Sequence, residues 1–104
     1  MSRVVEITDF TDQESFIAKN KRAVIFFGSD RCSHCRNMIP VINRMVSQYP
    51  SVGFAHVEVT KVKANNVNGV PVFVIYLSEV PVDIVLGASP GSLSESIEKN
   101  LLPY

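Results

Sequence analysis

The stretch Ala23-Val-Ile-Phe-Phe-Gly-Ser-Asp-Arg-Cys32-Ser-His-Cys35-Arg-Asn-Met-Ile-Pro40 decides the fold. Its first five residues are all apolar, which predicts a central strand that is buried on both faces. Gly28 begins a short segment of turn-forming residues. From Cys32 onward apolar residues recur every three to four positions, which indicates a helix. The stretch therefore predicts a strand, a tight turn and a helix with two cysteines in its first turn.

The position of the two cysteines predicts their chemistry. Cys32 lies at the expected N-terminus of the helix, where unpaired backbone N–H groups and the positive end of the helix dipole favour a thiolate. The thiolate is the nucleophile in disulfide exchange. Cys35 follows one helical turn later and is close enough to form a disulfide with Cys32. The pair is therefore predicted to be a dithiol–disulfide exchange site.

Length, composition and charge limit the possible functions. The chain has 104 residues, of which 46% are hydrophobic and 19% charged, and this fits a single domain over residues 1–104. Ten acidic and ten basic residues balance, so net charge favours neither nucleic acid nor an anionic membrane. The sequence has no apolar run of membrane-spanning length and no pattern typical of a signal peptide, which predicts a cytoplasmic protein. A lone C-x-x-C in that setting indicates a redox motif.

Periodicity along the chain predicts five strands and three helices, in the order β-α-β-α-β-β-β-α if a short turn between the third and fourth strands is left out. Helices alternate with the first three strands, and a hairpin and a helix follow. This order of elements predicts a mixed sheet with helices on both faces. Besides residues 23–27, the predicted strands are Val4–Ile7, Val52–Val59, Val72–Leu77 and Val82–Leu86. Residues 78–81 are expected to connect the last two strands, and Pro81 favours an edge position for the last one.

The helix boundaries follow from capping patterns. Thr11-Asp-Gln-Glu14 has the form of a capping box and predicts that the first helix starts at Thr11. The second helix is expected from Cys32 to about Tyr49, with Pro40 inside it. Two starts are possible for the last helix: a capping box at Ser92-Leu-Ser-Glu95, or Ser89 followed by a proline in the first helical position.

With these elements in place, the chain resembles thioredoxins over nearly its whole length. The resemblance rests on Cys32-x-x-Cys35 between strand and helix, on Pro40, on Val70-Pro71 before the fourth strand, and on Gly87 after the hairpin. It implies the thioredoxin fold, an α/β fold with a central mixed sheet of about five strands flanked by helices on both faces. It also implies that Cys32 is the attacking thiol, that Cys35 is the resolving thiol, and that the two form a redox disulfide.

The resemblance also implies a docking site for substrate. Pro71 would be a cis proline facing the dithiol, and a cis X–Pro bond is uncommon enough to indicate a geometric role. The backbone of Val70 would then pair with an extended segment of the substrate. Arg31, directly before the first cysteine, is a further candidate for substrate binding.

Several positions depart from the family pattern. Phe26 stands where thioredoxins usually carry a buried aspartate, so slower resolution by Cys35 is expected. His56 replaces a lysine often found near that acid, and Arg31 replaces a tryptophan. The segment between the third and fourth strands is about four residues short, so its helix should be reduced or absent.

His34 lies between the two thiols and is the third predicted catalytic residue. An imidazole there should stabilise the Cys32 thiolate and hence the reduced form, which makes the couple more oxidising. The expected potential is in the range of roughly −230 to −180 mV found for glutaredoxins and isomerases. A zinc site would need four ligands, and only His34 and His56 could join the two cysteines. The sequence therefore predicts no metal and no organic cofactor.

The expected partners are proteins that contain disulfides, with thioredoxin reductase or glutathione as the electron donor, and the protein is expected to be a monomer. Two alternatives remain. One is a glutathione-dependent, glutaredoxin-like reductase, although Gly87-Ala88-Ser89-Pro90 stands where glutaredoxins usually have a glutathione-binding Gly-Gly. The other is a binding module without catalysis on a thioredoxin scaffold.

Overall fold

A computed structural model describes residues 3–60 and 71–102. Within these ranges one five-stranded sheet has the strand order β1-β3-β2-β4-β5. The strands are β1 (Val5–Ile7), β2 (Arg22–Gly28), β3 (Gly53–Glu58), β4 (Val72–Leu77) and β5 (Val80–Leu86). The helices are α1 (Phe10–Lys19), α2 (Ser33–Gln48) and α3 (Pro90–Asn100). The predicted mixed sheet of five strands is thereby confirmed.

Strand β2 lies at the centre of the sheet. It pairs in parallel with β3 and antiparallel with β4, while β1 adds in parallel to β3 and β5 adds antiparallel to β4. Every residue of β2 after Arg22 is buried. A strand covered on both faces needs apolar side chains at every position, which explains the uninterrupted run at residues 23–27.

The two faces of the sheet carry separate apolar clusters. Alternate β2 residues divide between them: Val24 and Phe26 belong to one, and Ile25 and Phe27 to the other. Helices α2 and α3 cover the first face, and their buried side chains include Met38, Ile42, Met45, Leu93 and Ile97. Helix α1 covers the second face with Phe16 and Ile17. The predicted placement of helices on both faces is correct.

The predicted start of α1 at Thr11 is wrong. The helix begins at Phe10, and its N-cap is Asp9, whose carboxylate accepts a hydrogen bond from the backbone N–H of Asp12 at 2.8 Å. An aspartate two residues earlier caps as well as a threonine does. Thr11 is therefore inside the first turn, and its capping box with Glu14 does not form the cap.

The last helix begins at the second of its two possible starts. Ser89 is the N-cap of α3, and its hydroxyl accepts a hydrogen bond from the backbone N–H of Ser92 at 3.3 Å. Pro90 occupies the first turn, where a missing N–H costs no helical hydrogen bond. The capping box at Ser92 is consequently inside the helix.

The hairpin between β4 and β5 is tighter than residues 78–81 suggest. Ser78 and Glu79 alone form the turn, with φ of 52° and 71°, which is the backbone of a two-residue turn matched to strand twist. Strand β5 therefore begins at Val80, and Pro81 lies inside it. Such a position is tolerated because β5 is an edge strand, as predicted.

The edge strand β5 exposes several large apolar side chains. Its exposed large side chains are Val80, Val82, Ile84 and Leu86. The register skips Val82 between the pairs Ile75–Asp83 and Tyr76–Pro81, which places a bulge there. Asp83 holds the strand to α3, because its carboxylate accepts a hydrogen bond from the Ser96 hydroxyl at 2.6 Å. The same carboxylate accepts a bond from the backbone N–H of Ile84 within β5 at 2.8 Å.

Candidate active site

The turn from β2 into α2 brings the two cysteines together. Cys32 is the N-cap of α2, and its Sγ accepts a hydrogen bond from the backbone N–H of Cys35 at 3.2 Å. The backbone N–H of Cys32 donates to the Ser29 carbonyl at 3.1 Å, which closes the turn. A sulfur thus occupies the position of a capping oxygen, where the first N–H groups of a helix need an acceptor.

The surroundings of Cys32 favour its thiolate. Its pKa is lowered chiefly by a hydrogen bond from the Cys35 thiol, and also by hydrogen bonds from the backbone N–H groups of Cys35 and His34. The positive charge of Arg36 acts in the same direction. The side chain is half-buried, so it remains accessible to a reacting disulfide. Cys32 therefore has the thiolate character and exposure of an attacking thiol.

Cys35 has the opposite environment. It is 2% exposed and belongs to the same apolar cluster as Phe26 and Met38. Burial raises the pKa of Cys35 to about 11, and its hydrogen bond to Cys32 and the negative charges of Cys32 and Glu58 also raise it. Gly28 lies directly behind, since a Cβ built there would be 3.4 Å from Cys35 Cβ and 2.8 Å from the Phe26 ring. Cys35 thus favours its neutral form, next to a thiol whose pKa is shifted in the opposite direction.

Phe26 and His56 occupy the region where the family pattern has an acid and a lysine. The Phe26 ring stacks on Phe73 with centroids 4.9 Å apart, and its centroid is 5.1 Å from that of His56. His56 Nδ1 pairs with Glu6 of β1 at 2.9 Å. Phe26 thus forms an apolar wall next to Cys35, and the His56–Glu6 pair lies beside Phe26 on the same face of the sheet.

Glu58 is a residue of the site that the sequence pattern does not reveal. Its Oε1 accepts a hydrogen bond from the backbone N–H of Asp30 at 2.9 Å, and its Oε2 accepts one from the Thr60 hydroxyl at 2.7 Å. Burial opposes ionisation of Glu58, but these bonds outweigh it and lower its pKa. Only the pairing of Gly28 with Glu58 across β2 and β3 brings this carboxylate to the turn, and that register is not readable from chain order.

Three other predicted site residues, Arg31, His34 and Pro71, lie at the same end of the sheet. His34 and Arg31 are exposed next to Cys32, and the backbone N–H of Arg31 donates to the Ser29 hydroxyl at 3.2 Å. Phe27 of β2 pairs with Val72, so Pro71 is level with Gly28, and its carbonyl accepts a hydrogen bond from Gly87 at 2.9 Å. Val70, the Val70–Pro71 bond and the shortened segment before it lie outside the described residues, so the cis bond stays a prediction.

Comparison with known proteins identifies this arrangement. The thioredoxin family model matches residues 3–99. The chain belongs to the thioredoxin family. It is 26% identical over 105 residues to Thioredoxin-3 of Dictyostelium discoideum, an alignment that covers 97% of this chain and 100% of that relative. Family membership and the C-x-x-C pair make this thioredoxin a thiol–disulfide oxidoreductase, which supports the enzymatic interpretation over a binding module.

Solved thioredoxin structures have the same fold. The structure of Plasmodium falciparum thioredoxin superposes with a TM-score of 0.87 at 27% identity, covering 93% of this chain and 99% of that one. Fasciola hepatica thioredoxin gives a TM-score of 0.88 at 28% identity, covering 92% and 98%. Like other thioredoxins, the protein acts on disulfide substrates.

Two further features of the described ranges bear on ligands and membranes. Within residues 3–60 and 71–102, His, Cys, Asp and Glu side chains form no group of three or more that could hold a metal ion. The helices in that part of the chain are all too short or too polar to cross a bilayer.

Proposed function

We propose that Cys32 and Cys35 reduce protein disulfides in two exchange steps. The Cys32 thiolate attacks one sulfur of the substrate disulfide, forms a mixed disulfide and releases the first substrate thiolate. Cys35 then loses its proton and attacks Cys32 Sγ, which forms the Cys32–Cys35 disulfide and releases the second thiolate. The substrate gains two electrons and two protons, and the enzyme becomes oxidised.

The hydrogen bond from the Cys35 backbone N–H to Cys32 Sγ is the observation that best supports these roles. It places the first sulfur at a helix N-terminus, where the thiolate is stabilised, and it places the second sulfur one turn behind in the apolar core. The opposite shifts of the two pKa values agree with one thiol that attacks and another that stays protonated until it is needed.

The remaining roles follow from position and family. We propose that Val70 and Pro71 dock an extended substrate segment, that Arg31 contacts the same substrate, and that the His34 imidazole raises the reduction potential. The enzyme would act as a monomeric single domain in a reducing compartment such as the cytoplasm, and thioredoxin reductase would restore the dithiol. The absence of a second glycine after Gly87 argues against glutathione as the main donor.

Trapping of the mixed disulfide tests the assignment of the two thiols. Cys35→Ser should accumulate a covalent complex with disulfide-bonded insulin or another disulfide protein, because the second step is blocked. Cys32→Ser should form no complex and show no insulin reduction. A trapped complex through Cys35 in the Cys32→Ser variant would reverse the roles.

The electron donor is tested by comparing two recycling systems at equal enzyme concentration. We expect insulin reduction with NADPH and thioredoxin reductase to exceed reduction with NADPH, glutathione and glutathione reductase by at least tenfold. Equal or faster turnover with glutathione would favour the glutaredoxin-like alternative. His34→Pro should lower the reduction potential of the couple in a glutathione redox titration, and an unchanged potential would exclude the imidazole effect.

A further inference from the structure

Asp30 is held at both ends of its backbone by side chains from two different elements. Its N–H donates to Glu58 Oε1 of β3 at 2.9 Å, and its carbonyl accepts a hydrogen bond from Arg36 Nη1 of α2 at 2.8 Å. Asp30 is two residues before Cys32, inside the turn that leads from β2 into α2. We refer to Glu58, the Asp30 backbone and Arg36 as the turn bridge.

The carboxylate of the turn bridge is itself fixed. Its second oxygen accepts hydrogen bonds from the hydroxyl of Thr60 at 2.7 Å and from the Thr60 backbone at 3.4 Å. Glu58 pairs with Gly28 across the β2–β3 ladder, and the Gly28 carbonyl accepts a hydrogen bond from Val59 at 3.0 Å. The ends of two strands and the first turn of α2 are thus joined through the backbone of a single residue, Asp30.

The two ends of the turn bridge carry opposite charges, and each end affects a different thiol. The positive charge of Arg36 favours ionisation of Cys32, whereas the negative charge of Glu58 opposes ionisation of Cys35. His56, two residues earlier on the same strand, also favours the ionised form of Glu58. The other charged or titratable side chains on the turn and on the first turn of α2 are Asp30, Arg31 and His34.

We propose that Glu58 and Arg36 are positioning residues which, through the Asp30 backbone, fix the turn before Cys32 and assign attack to Cys32 and resolution to Cys35. This inference rests on the proposed function and adds to it two residues that touch neither substrate nor reacting sulfur. In a chain with Phe26 behind the resolving thiol, Glu58 supplies the negative charge of the site from the neighbouring strand.

Reaction with the small disulfide DTNB separates the two steps, because each step releases one coloured thiolate. The first release reports attack by Cys32, and the second reports resolution by Cys35. Stopped-flow rates between pH 5 and 11 then give a pH profile for each thiol. Glu58→Gln keeps an acceptor for the Asp30 N–H and loses the charge, whereas Glu58→Ala loses both.

We expect Glu58→Gln to move the midpoint of the resolution profile to lower pH and to change the rate of attack at pH 7 by less than twofold. Arg36→Gln should move the attack profile to higher pH and slow attack at pH 7 about three- to tenfold. Glu58→Ala should slow attack as well, because the turn loses its anchor. Glu95→Gln and Arg44→Gln make the same charge changes at exposed positions on α3 and α2, and their profiles should match the unmodified enzyme.

A double variant tests whether Glu58 and Arg36 act through the backbone of the same residue, Asp30. If they do, Glu58→Ala combined with Arg36→Ala slows attack no more than the more damaging single change, because the bridge is already broken. The proposal would be overturned if the double variant slowed attack by the product of the two single-variant factors. It would also be overturned if Glu58→Gln and Glu95→Gln had the same pH profile of resolution. If Cys32→Ser still released one thiolate as fast as the unmodified enzyme, attack would not depend on Cys32 and the proposed function itself would fail.

Discussion

The two cysteines are the same residue type one helical turn apart, yet one lies at the surface and the other in the apolar core. Cys32 caps α2 at the surface, where its sulfur accepts backbone hydrogen bonds near the charge of Arg36. Cys35 is in the core beside Phe26 and Met38, with 2% of its surface exposed. The difference arises because Cys32 is the N-cap at the surface end of α2, whereas Cys35 lies inside the first turn and packs into the core.

The largest expected effect comes from making the surroundings of Cys35 polar. Phe26→Asp removes the ring stacked on Phe73 and buries a carboxyl group. We expect the free energy of unfolding at pH 7 to fall by more than about 3 kcal/mol. Burial would raise the folded-state pKa of the new aspartate above its unfolded value of about 3.9, so the deficit should grow as pH rises.

Urea unfolding at pH 4 and pH 8 measures that pH dependence, with Phe26→Leu as the apolar control. The control should lose less stability, by the same amount at both pH values. A deficit of Phe26→Asp that is equal at the two pH values would mean that water reaches the site and that the wall behind Cys35 is not apolar.

A second prediction uses the raised pKa of Cys35. The unfolded chain ionises this thiol near pH 9, but the folded chain does so only at about 11. The neutral thiol is therefore favoured by folding, and its contribution is complete below pH 9 and lost between pH 9 and 11. The reduced protein should lose on the order of 1–3 kcal/mol more than Cys35→Ala over that interval.

Unfolding of both proteins in urea at pH 8, 9, 10 and 11 gives the comparison. Subtracting the Cys35→Ala curve removes the contributions of tyrosines and lysines, which ionise over the same interval. If the unfolding free energies of the two proteins changed with pH in parallel, the assignment of a raised pKa to Cys35 would be contradicted.

The third prediction concerns the close approach between Gly28 and the Phe26 ring, next to Cys35. A methyl group at Gly28 would be 2.8 Å from the Phe26 ring, so Gly28→Ala should lower the free energy of unfolding by about 1–3 kcal/mol. Gly91→Ala is the matched control, because its methyl group meets nothing within 4 Å and α3 favours alanine. Thermal unfolding of the two variants should give shifts of opposite sign, and equal shifts would show that the approach is not tight.

The smallest expected effect is at the N-terminus of α1, far in sequence from both thiols. Asp9→Ala removes the observed cap and should lower the free energy of unfolding by about 1 kcal/mol without changing the DTNB rates. Thr11→Ala should change it by less than about 0.5 kcal/mol. If urea unfolding showed a larger loss of unfolding free energy for Thr11→Ala than for Asp9→Ala, Thr11 and not Asp9 would be the cap of α1.

The sequence predicted what depends on local pattern. The buried run at residues 23–27, the helix after it and the cysteines at its N-terminus follow from periodicity and turn chemistry, and all are confirmed. The starts of α1 and α3 are harder to predict, because each helix has two residues near its start that could serve as the N-cap. These are Asp9 and Thr11 for α1, and Ser89 and Ser92 for α3. Competition between neighbouring caps is settled by where the chain leaves the preceding strand, which local pattern does not contain.

The part of the site that sequence could not predict depends on register. Glu58 reads as the end of an alternating strand, and Asp30 reads as a turn residue 28 positions earlier. They meet because β3 pairs with β2 so that Glu58 faces Gly28, and a shift of one residue would turn the carboxylate to the other face of the sheet. A motif can therefore locate the reacting sulfurs while the groups that position them remain hidden.

Strand β5 has a consequence for concentrated solutions of this protein. A long, apolar, uncharged sheet border is an open template on which further chains add as strands, and repeated addition gives fibrils. Pro81 has no N–H to offer an incoming strand, the bulge at Val82 distorts the border, and the N–H of Ile84 is already bonded to Asp83. These three irregularities disfavour the addition of a further strand to β5.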